Sequence, residues 1–237
     1  MIFHDFDTVS SPLDVTRAIP LRPCKSIAFV EKSGTPDLYR NGGKRLFDLL
    51  ICLVIAPLIL PLASLCAAMI ALTGNKPFYS QYRIGLNGRV FRMWKLRSMV
   101  DDGDKVLARH LERDPDARLE WQSLQKLKHD PRVTSLGAFL RRTSLDELPQ
   151  IWNVIRGEMS LVGPRPMMIS QEPLYTGQDY YNLLPGISGN WQVSSRNLSD
   201  FSERAGFDTA YSAKLSLRGD LWILVKTVSV VLRANGH

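Results

Sequence analysis

The feature that most constrains this chain is an uncharged stretch of 25 residues from Leu49 to Thr73. A helix that crosses the hydrocarbon core of a bilayer needs roughly 20 apolar residues. A buried core helix is the alternative, but so long an uncharged run favours a membrane segment. The fold must therefore accommodate one long apolar helix beside whatever the rest of the chain forms.

Two prolines, Pro57 and Pro61, interrupt this stretch, and each removes a helical hydrogen bond and favours a kink. Basic residues flank both ends, with Lys44 and Arg45 before the stretch and six lysines and arginines between residues 76 and 97 after it. Basic residues favour the cytoplasmic side of a membrane, so one straight crossing would leave one basic flank outside. We therefore predict a re-entrant helix hairpin, broken near the prolines, whose two ends both lie on the cytoplasmic side.

The charge balance narrows the possible partners. The chain has 237 residues, with 30 lysines and arginines against 23 aspartates and glutamates, and its net charge is +7. Such an excess suits nucleic acid, phosphorylated substrates or an anionic membrane surface, but the long apolar stretch argues against a soluble nucleic-acid binder. The three cysteines form no CxxC pair, which fits a reducing cytoplasm and argues against a disulfide scaffold or a zinc site.

Composition divides the chain into three parts. Residues 1–40 are interrupted by prolines, and we expect a poorly ordered extension there. Residues 41–75 are expected to form the re-entrant membrane helix, with Asp48 at its entry paired with one of the two basic residues before it. Residues 76–237 are expected to form a cytoplasmic domain that includes interfacial amphipathic helices. The expected fold class is α+β and mainly helical.

Several local patterns predict elements of this domain. Leu86-Asn87-Gly88 predicts a hairpin between two short strands, because Asn-Gly is a strong turn signal. The polar segment 99–128 predicts two short surface helices that separate at Asp114-Pro115. The segment Leu217–Ala234 has apolar residues at helical spacing and predicts a helix that lies either in the core or at a membrane interface.

The segment RRTSLDELPQIWNVIRGE sets two acids side by side, Asp146 and Glu147. Ser144 and Glu147 match the capping box that begins many helices, which would make the acids structural. Pro149 weakens that interpretation, because a proline inside the helix would remove a backbone donor. The alternative is a helix that begins next to the proline and ends at Gly157, with both acids just ahead of its N-terminus, where anionic groups are stabilised.

Two loops, SLVGPRP and LLPGISGNWQVSSRN, are rich in Gly, Pro and Ser, and each carries one arginine, Arg165 or Arg196. The backbone N–H groups of such loops can cradle a phosphate, and arginine binds phosphate bidentately. Ordinary turn chemistry is the alternative explanation for either loop taken alone.

Four stretches, taken in order, resemble the bacterial sugar transferases, the monotopic polyprenyl-phosphate phosphoglycosyl transferases. They are KRLFD followed by the proline-broken run, QYRIGLNGRVFRMWKLRSM, RRTSLDELPQIWNVIRGEMSLVGPRP and PGISGNWQVSSRN. The resemblance extends from about Lys44 to about Leu232 and is greatest to the undecaprenyl-phosphate galactose phosphotransferases of exopolysaccharide synthesis. Members often have Ser-Pro at the helix break, where this chain has Leu60-Pro61 and an additional Pro57. Larger members carry several N-terminal transmembrane helices, so this chain resembles the minimal catalytic form with a short extension.

The resemblance implies an enzyme at the cytoplasmic face of a bacterial inner membrane. Such an enzyme transfers a sugar 1-phosphate, here expected to be galactose 1-phosphate, from a UDP-sugar to undecaprenyl phosphate and releases UMP. This is the first membrane step in the synthesis of an exopolysaccharide repeat unit. The expected partners are therefore the two substrates, the membrane and downstream glycosyltransferases of the same pathway, with no nucleic acid.

By the family pattern, Asp146 is the nucleophile that forms an aspartyl-phosphosugar intermediate, and a helix N-terminus and nearby arginines are expected to keep it ionised. Glu147 is expected to bind Mg²⁺ or to act as a proton and orientation partner, with Asp146 and Glu158 as further candidate ligands of the metal. An ordinary surface acid after Gly157 is the favoured alternative role of Glu158. A solvated basic surface is the alternative role of Lys95 and Arg141. The family-matching positions expected to bind substrate or phosphate are Lys95, Arg141, Arg165, Arg196 and Asp208.

Two other functions remain open on the sequence alone. A non-catalytic membrane scaffold of a polysaccharide assembly complex would explain the hairpin but not the acid pair and the arginine-bearing loops. An ordinary glycosyltransferase would release UDP rather than UMP.

Overall fold

The apolar stretch forms a single helix, α1 (Lys44–Leu72), in the computed structural model, which describes residues 38–124, 127–194 and 203–232. The predicted N-terminal extension lies outside these ranges except for its last three residues. The backbone of α1 stays helical through Pro57 and Pro61. The prolines therefore do not divide α1 into two helices, since packing against the rest of the domain holds the turns on both sides of them, and the re-entrant path stays a prediction.

The described residues after α1 form short helices and short strands, which agrees with the expected mainly helical α+β class. The strands are β1 (Phe78–Ile84), β2 (Val90–Leu96), β3 (Ser160–Val162) and β4 (Gly186–Ser188). The helices are α2 (Gly103–Arg113), α3 (Pro115–Leu124), α4 (Ser135–Arg142), α5 (Gln150–Arg156), α6 (Asn190–Ser194), α7 (Arg204–Ala213) and α8 (Leu217–Leu232). The two predicted polar helices are confirmed as α2 and α3, which separate at Asp114.

The predicted hairpin is also confirmed. Strands β1 and β2 pair antiparallel, with Tyr79 opposite Lys95 and Arg83 opposite Phe91. Asn87 has φ 56° in the turn between them, a backbone conformation that asparagine adopts more readily than most residues. Because strand side chains alternate between faces, Arg83 and Lys95 lie on the same face of this ribbon.

A second, parallel pair joins β3 to β4, and it depends on glycine for its close backbone approach. A Cβ atom on Gly186 would lie 2.1 Å from the backbone nitrogen of Gly163, and one on Gly163 would lie 2.3 Å from the carbonyl oxygen of Leu184. Such contacts are shorter than real side chains allow, so both positions require glycine. The two Gly-rich loops are thereby packed directly against each other.

Both halves of α1 pack against the same domain. In the first half, Cys52 is buried in a cluster that includes Val154 of α5 and Leu161 of β3. In the second half, Cys66 and its neighbours pack against Leu96 of β2 and Leu140 of α4. The helix therefore lies along the domain over most of its length instead of projecting away from it.

A buried carboxylate fastens the start of α1 to the C-terminal helices. Asp220 of α8 is fully buried, and its Oδ2 accepts hydrogen bonds from Tyr39 at 2.7 Å and from Lys44 Nζ at 2.6 Å. Its Oδ1 accepts a third from the Tyr211 hydroxyl at 2.8 Å. A buried ion pair that keeps all its hydrogen bonds holds its elements in register, and the loss of one partner would leave an uncompensated buried charge.

The expected pairing of Asp48 with a neighbouring basic residue is wrong. Lys44 binds Asp220 instead, and Arg45 donates to the carbonyl oxygens of Val154 and Ile155 in the last turn of α5. Asp48 is buried, and its Oδ1 accepts from the backbone N–H of Leu161 at 3.1 Å. The basic residues are engaged elsewhere because the last carbonyls of a helix and a buried carboxylate both require donors.

The side of α1 that faces away from the domain is apolar and exposed. Leu53, Val54 and Leu58 are each more than 70% exposed. Soluble proteins rarely expose a continuous apolar surface of this kind. The segment Tyr39–Leu72 is long and apolar enough to cross a membrane, by its length and composition.

Helix α8 extends the exposed apolar surface. Ile223 is buried in the core, whereas Leu221, Trp222, Val225 and Val228 are exposed. Lys226 lies over the Trp222 ring at 5.2 Å, and interfacial helices carry both basic and aromatic residues. Of the two placements that the sequence left open for this helix, the exposed apolar side chains favour the interfacial one.

Candidate active site

The acid pair lies in the turn between α4 and α5. Ser144 has φ 57°, and a short 3₁₀ turn, Leu145–Glu147, carries both acids before α5 begins after Pro149. The Ser144 side chain caps no backbone N–H, so the capping-box interpretation is wrong. The alternative is confirmed: the proline lies at the helix start, and Gly157 ends α5 with φ 78°.

One buried asparagine fixes α5 against β2. The Asn153 carboxamide oxygen accepts from the backbone N–H of Trp94 at 3.1 Å, and its nitrogen donates to the carbonyl oxygen of Arg92 at 2.7 Å. These backbone groups lie on the edge of β2 that does not pair with β1, and buried backbone groups need partners. Asn153 therefore sets how the acid pair lies relative to the Lys95 side chain on β2.

Lys95 joins the two acids. Its Nζ lies 2.8 Å from Glu147 Oε1 and 3.7 Å from Asp146 Oδ2. Adjacent residues seldom reach one partner from a regular helix, but the 3₁₀ turn allows both carboxylates to converge on the ammonium group. Sequence reasoning identified all three residues, and the structure brings them together.

Asp146 is the more buried of the two acids, at 7% exposed. Burial raises the pKa of Asp146 above its usual value, and the neighbouring Glu147 adds to the rise, while Lys95 and Arg141 oppose it. Arg141 and Lys95 act on the pKa of Asp146 in the direction expected for nearby cations, but the net shift is upward because burial has the larger effect. The ionised state of Asp146 stays a prediction.

Arg141 is held beside the acid pair by a residue that sequence reasoning missed. Arg141 Nε donates to Ser98 Oγ at 2.8 Å, and Ser98 lies just after β2. A Cβ atom on Gly137 would lie 1.9 Å from the carbonyl oxygen of Ser98, so only glycine allows α4 to approach this closely. A serine in KLRSM gave no chemical signal, because its role depends on a contact 43 residues away.

A cleft opens beside Lys95 and Glu147. Its other wall comes from the two Gly-rich loops, and Arg165 lies there as predicted from the sequence. The residues that line it are Arg83, Met93, Lys95, Glu147, Gln150, Arg165, Pro166, Gly186, Ile187 and Gln192.

Two further arginines accompany Arg165, and sequence reasoning assigned neither of them. The guanidinium groups of Arg165 and Arg204 lie 5.7 and 5.3 Å from the centre of the Trp191 ring, and Arg204 donates to the carbonyl oxygen of Arg165 at 2.7 Å. Burial lowers the pKa of Arg83 to about 10, and the charges of Arg165 and Arg204 contribute to this decrease. Three cations that destabilise one another in this way favour an anionic ligand.

The backbone N–H groups expected to cradle a phosphate are used within the loops. Gly163 N–H donates to the carbonyl oxygen of Ser188 at 2.8 Å, and Gly186 N–H donates to that of Pro164 at 2.8 Å. That part of the prediction is wrong for these two groups, because the loops bind each other. The arginine side chains are left as the cationic groups of this wall.

The remaining predicted residues lie in different settings. Asp208 is buried on α7, where it accepts from the Tyr175 hydroxyl at 2.8 Å. Burial raises the pKa of Asp208 to about 6, against the opposing effects of Tyr175 and Arg204. Asp208 is not among the residues that line the cleft. Arg196 lies outside the described residues.

The acid pair fits a magnesium ion only together with substrate. Mg²⁺ is commonly held by one or two carboxylates, water and substrate phosphates, and Asp146 and Glu147 supply two carboxylates beside an arginine-lined cleft. Glu158 does not join them, since its carboxylate accepts from Asn153 at 2.6 Å and pairs with Arg156 at 3.2 Å. Among the described residues, no three His, Cys, Asp or Glu side chains are grouped so as to hold a metal ion, which corrects the three-ligand set.

Comparison with known families decides the identity of this fold. The bacterial sugar transferase family matches residues 39–234. The chain belongs to the bacterial sugar transferase family. The match includes every described element from α1 to α8, and it confirms the family expected from the sequence.

Three relatives of this sugar transferase carry informative names. The UDP-galactose-lipid carrier transferase of Erwinia amylovora is 48% identical over 81% of this chain, and the undecaprenyl-phosphate galactose phosphotransferase of Salmonella typhimurium is 44% identical over 81%. The exopolysaccharide production protein ExoY of Rhizobium meliloti is 44% identical over 87% of this chain and is itself covered over 92% of its length. The match covers 41% of the length of each of the other two relatives.

Replacement of Asn153 by alanine should lower the free energy of unfolding, because Asn153 fixes α5 against β2. Asn153→Ala leaves two part-buried backbone groups of β2 without a partner and removes one of the two partners of the Glu158 carboxylate. These losses should cost about 2 to 4 kcal/mol of unfolding free energy. Thermal unfolding of the detergent-solubilised protein checks this. Asn75→Ala is the matched control, because the Asn75 carboxamide binds only Thr73 at the surface. Equal midpoints for the two variants would contradict the anchoring role.

Proposed function

We propose that the chain transfers a sugar 1-phosphate from a UDP-sugar to undecaprenyl phosphate, releases UMP and forms a covalent aspartyl-phosphosugar intermediate on Asp146. The observation that carries this proposal is the buried Asp146 carboxylate beside Lys95 and Arg141, next to a cleft whose opposite wall carries Arg165. A carboxylate nucleophile and clustered cations are what displacement at a diphosphate requires.

The first step is an attack by Asp146 on the β-phosphorus of the donor. A carboxylate oxygen forms a bond to phosphorus, the bond from that phosphorus to the bridging oxygen breaks, and the electron pair leaves with UMP. Lys95 and the cleft arginines offset the negative charge of the diphosphate, which would otherwise repel the attacking carboxylate. Glu147 holds Lys95 at 2.8 Å and so orients the cation beside the nucleophile.

The second step regenerates the enzyme. A phosphate oxygen of undecaprenyl phosphate attacks the same phosphorus, and the acyl-phosphate bond to Asp146 breaks. The lipid then carries a diphosphate-linked sugar, and the carboxylate is free for another donor. The burial of Asp146 limits the access of water, which would otherwise hydrolyse the aspartyl-phosphosugar intermediate.

The apolar surface supports a membrane-bound acceptor. The exposed sides of α1 and α8 carry the large apolar residues, and the basic residues Lys44 and Arg45 lie at the start of α1. Both halves of α1 pack on the same domain, so a helix that crossed the bilayer would take part of that domain into the lipid. A re-entrant path, with the domain on the cytoplasmic face of the inner membrane, avoids that cost.

The sugar and the metal complete the proposal. Two relatives are named for galactose transfer, which supports galactose 1-phosphate as the group transferred, and the ExoY relative is named for exopolysaccharide production. Mg²⁺, held by Asp146 and Glu147, would neutralise charge on the donor diphosphate when bound. Downstream glycosyltransferases of the same pathway are the proposed consumers of the lipid-linked product.

Replacement of Asp146 by asparagine should abolish transfer. Asp146→Asn keeps the size of the side chain and removes the nucleophile, so UMP release from UDP-galactose should fall by at least about 1,000-fold, as for loss of a catalytic nucleophile. The measurement uses detergent-solubilised protein, Mg²⁺ and undecaprenyl phosphate, with identification of the released nucleotide. Asp116→Asn, at an exposed position on α3, is the control.

Each other outcome of that assay rejects part of the proposal. UDP in place of UMP would indicate an ordinary glycosyltransferase. Full activity of Asp146→Asn would exclude this residue as the nucleophile. No nucleotide from a panel of UDP-sugars would favour a scaffold without catalysis.

The membrane path can be tested separately by labelling introduced cysteines. Asn41→Cys and Asn75→Cys flank α1 on its two sides, and both should resist a membrane-impermeant thiol reagent in intact cells and react after the membrane is opened. Reaction of either cysteine in intact cells would mean that α1 crosses the bilayer.

A further inference from the structure

Two of the residues that line the cleft each carry a buried polar atom whose hydrogen bonding is incomplete. Arg83 Nε and Gln192 Oε1 are both buried and have no hydrogen-bond partner among the described residues. Gln192 is 4% exposed, and both residues line the cleft. A buried polar group without a partner costs free energy, so such groups mark a place where a ligand completes the bonding.

The geometry of the hairpin separates Arg83 from Lys95, which pairs with the two acids. Arg83 lies opposite Phe91, and Lys95 is four residues further along β2 on the same face. At about 3.4 Å per residue, the two positions are about 14 Å apart along the ribbon. Arg83 thus lies away from Lys95 along the ribbon, and Gln192 lines the same cleft.

The surroundings of Arg83 hold its side chain in place and favour an anionic ligand. The Arg83 side chain is held by Gln81, whose oxygen accepts at 2.6 Å, and by the carbonyl oxygen of Pro166 at 3.5 Å. The charges of Arg165 and Arg204 act on it. In the proposed reaction, negative charge grows on the leaving nucleotide when the diphosphate breaks, and fixed cations favour that change.

The buried Oε1 atom of Gln192 requires a hydrogen-bond donor, unlike the Arg83 guanidinium, which requires an acceptor. A carboxamide oxygen accepts a hydrogen bond, so it pairs with an N–H or O–H group and not with a phosphate oxygen. A nucleoside monophosphate offers both kinds of group, since its phosphoryl oxygens accept and its ribose hydroxyls and base imide donate. A bare phosphate would satisfy Arg83 alone.

We propose that Arg83 and Gln192 form the subsite for the leaving UMP, with Arg83 bound to its phosphoryl group and Gln192 accepting from an N–H or O–H of its nucleoside. This inference rests on the proposed function, because UMP is the nucleotide that the proposed reaction releases. Gln192 is then a specificity-determining residue for the nucleotide, and Arg83 stabilises the leaving group.

Equilibrium binding tests this assignment without turnover. Isothermal titration of the detergent-solubilised full chain with UMP and, separately, with galactose 1-phosphate compares the two halves of the donor. Gln192→Leu and Arg83→Leu should each weaken UMP binding by about tenfold or more, as expected for the loss of one good hydrogen bond or ion pair. Gln192→Leu should leave galactose 1-phosphate binding within about twofold.

The controls are Gln178→Leu and Arg89→Leu, which remove the same side chains at exposed positions outside the cleft. Thermal unfolding of each variant shows whether it is folded, and if Arg83→Leu is not, Gln192→Leu decides the test. UMP that does not bind the wild-type chain, UMP affinity unchanged in Gln192→Leu, or an equal loss for galactose 1-phosphate would each overturn the inference. UMP binding that depends on Gln192 in a chain that releases no UMP from UDP-sugars would keep the subsite and reject the transfer reaction.

Discussion

The pairing of Lys95 with Asp146 and Glu147 is the interaction on which the rest of the site depends. It brings a strand residue and a turn residue together across 52 positions of sequence, and it opposes the rise in the pKa of Asp146 that burial causes. The pairing holds only if β2 and α5 keep their relative position, which Asn153 secures by binding the free edge of β2. The reactive carboxylate is therefore positioned by a strand edge and one asparagine.

The same domain that positions the site also carries the apolar helix. Helix α1 packs against β2, α4, α5 and β3 through both of its halves, and Asp220 joins its start to α8. The turn that carries the acid pair also contacts α1, because Leu145 packs against the cluster that includes Cys66. A soluble donor and a lipid acceptor can meet at such a place without a large movement of the protein.

Short-range sequence signals predicted the turns and the helix boundaries. Features that depend on contacts between distant residues were not predicted. Asn87-Gly88, Asp114-Pro115 and Gly157 predicted a hairpin, a helix boundary and a helix end, because turn chemistry acts over a few residues. The prediction of a capping box failed because Ser144 adopts a left-handed conformation and its side chain caps no backbone N–H. The roles of Asn153, Ser98 and Arg83 depend on partners far away in sequence, so their residue types alone gave no signal. The resemblance to a family located Lys95, Asp146, Glu147 and Arg165 together, which spacing alone could not do.

A covalent bond between Asp146 and a phosphosugar is the central claim, and intact-mass measurement tests it most directly. The solubilised protein is incubated with UDP-galactose and Mg²⁺ in the absence of undecaprenyl phosphate, so that the second step cannot proceed. The account predicts a species heavier by one hexosyl phosphate, its attachment at Asp146 in peptide fragments, its loss on addition of undecaprenyl phosphate and its absence in Asp146→Asn. An unmodified protein that nevertheless releases UMP when the lipid is present would contradict the covalent mechanism.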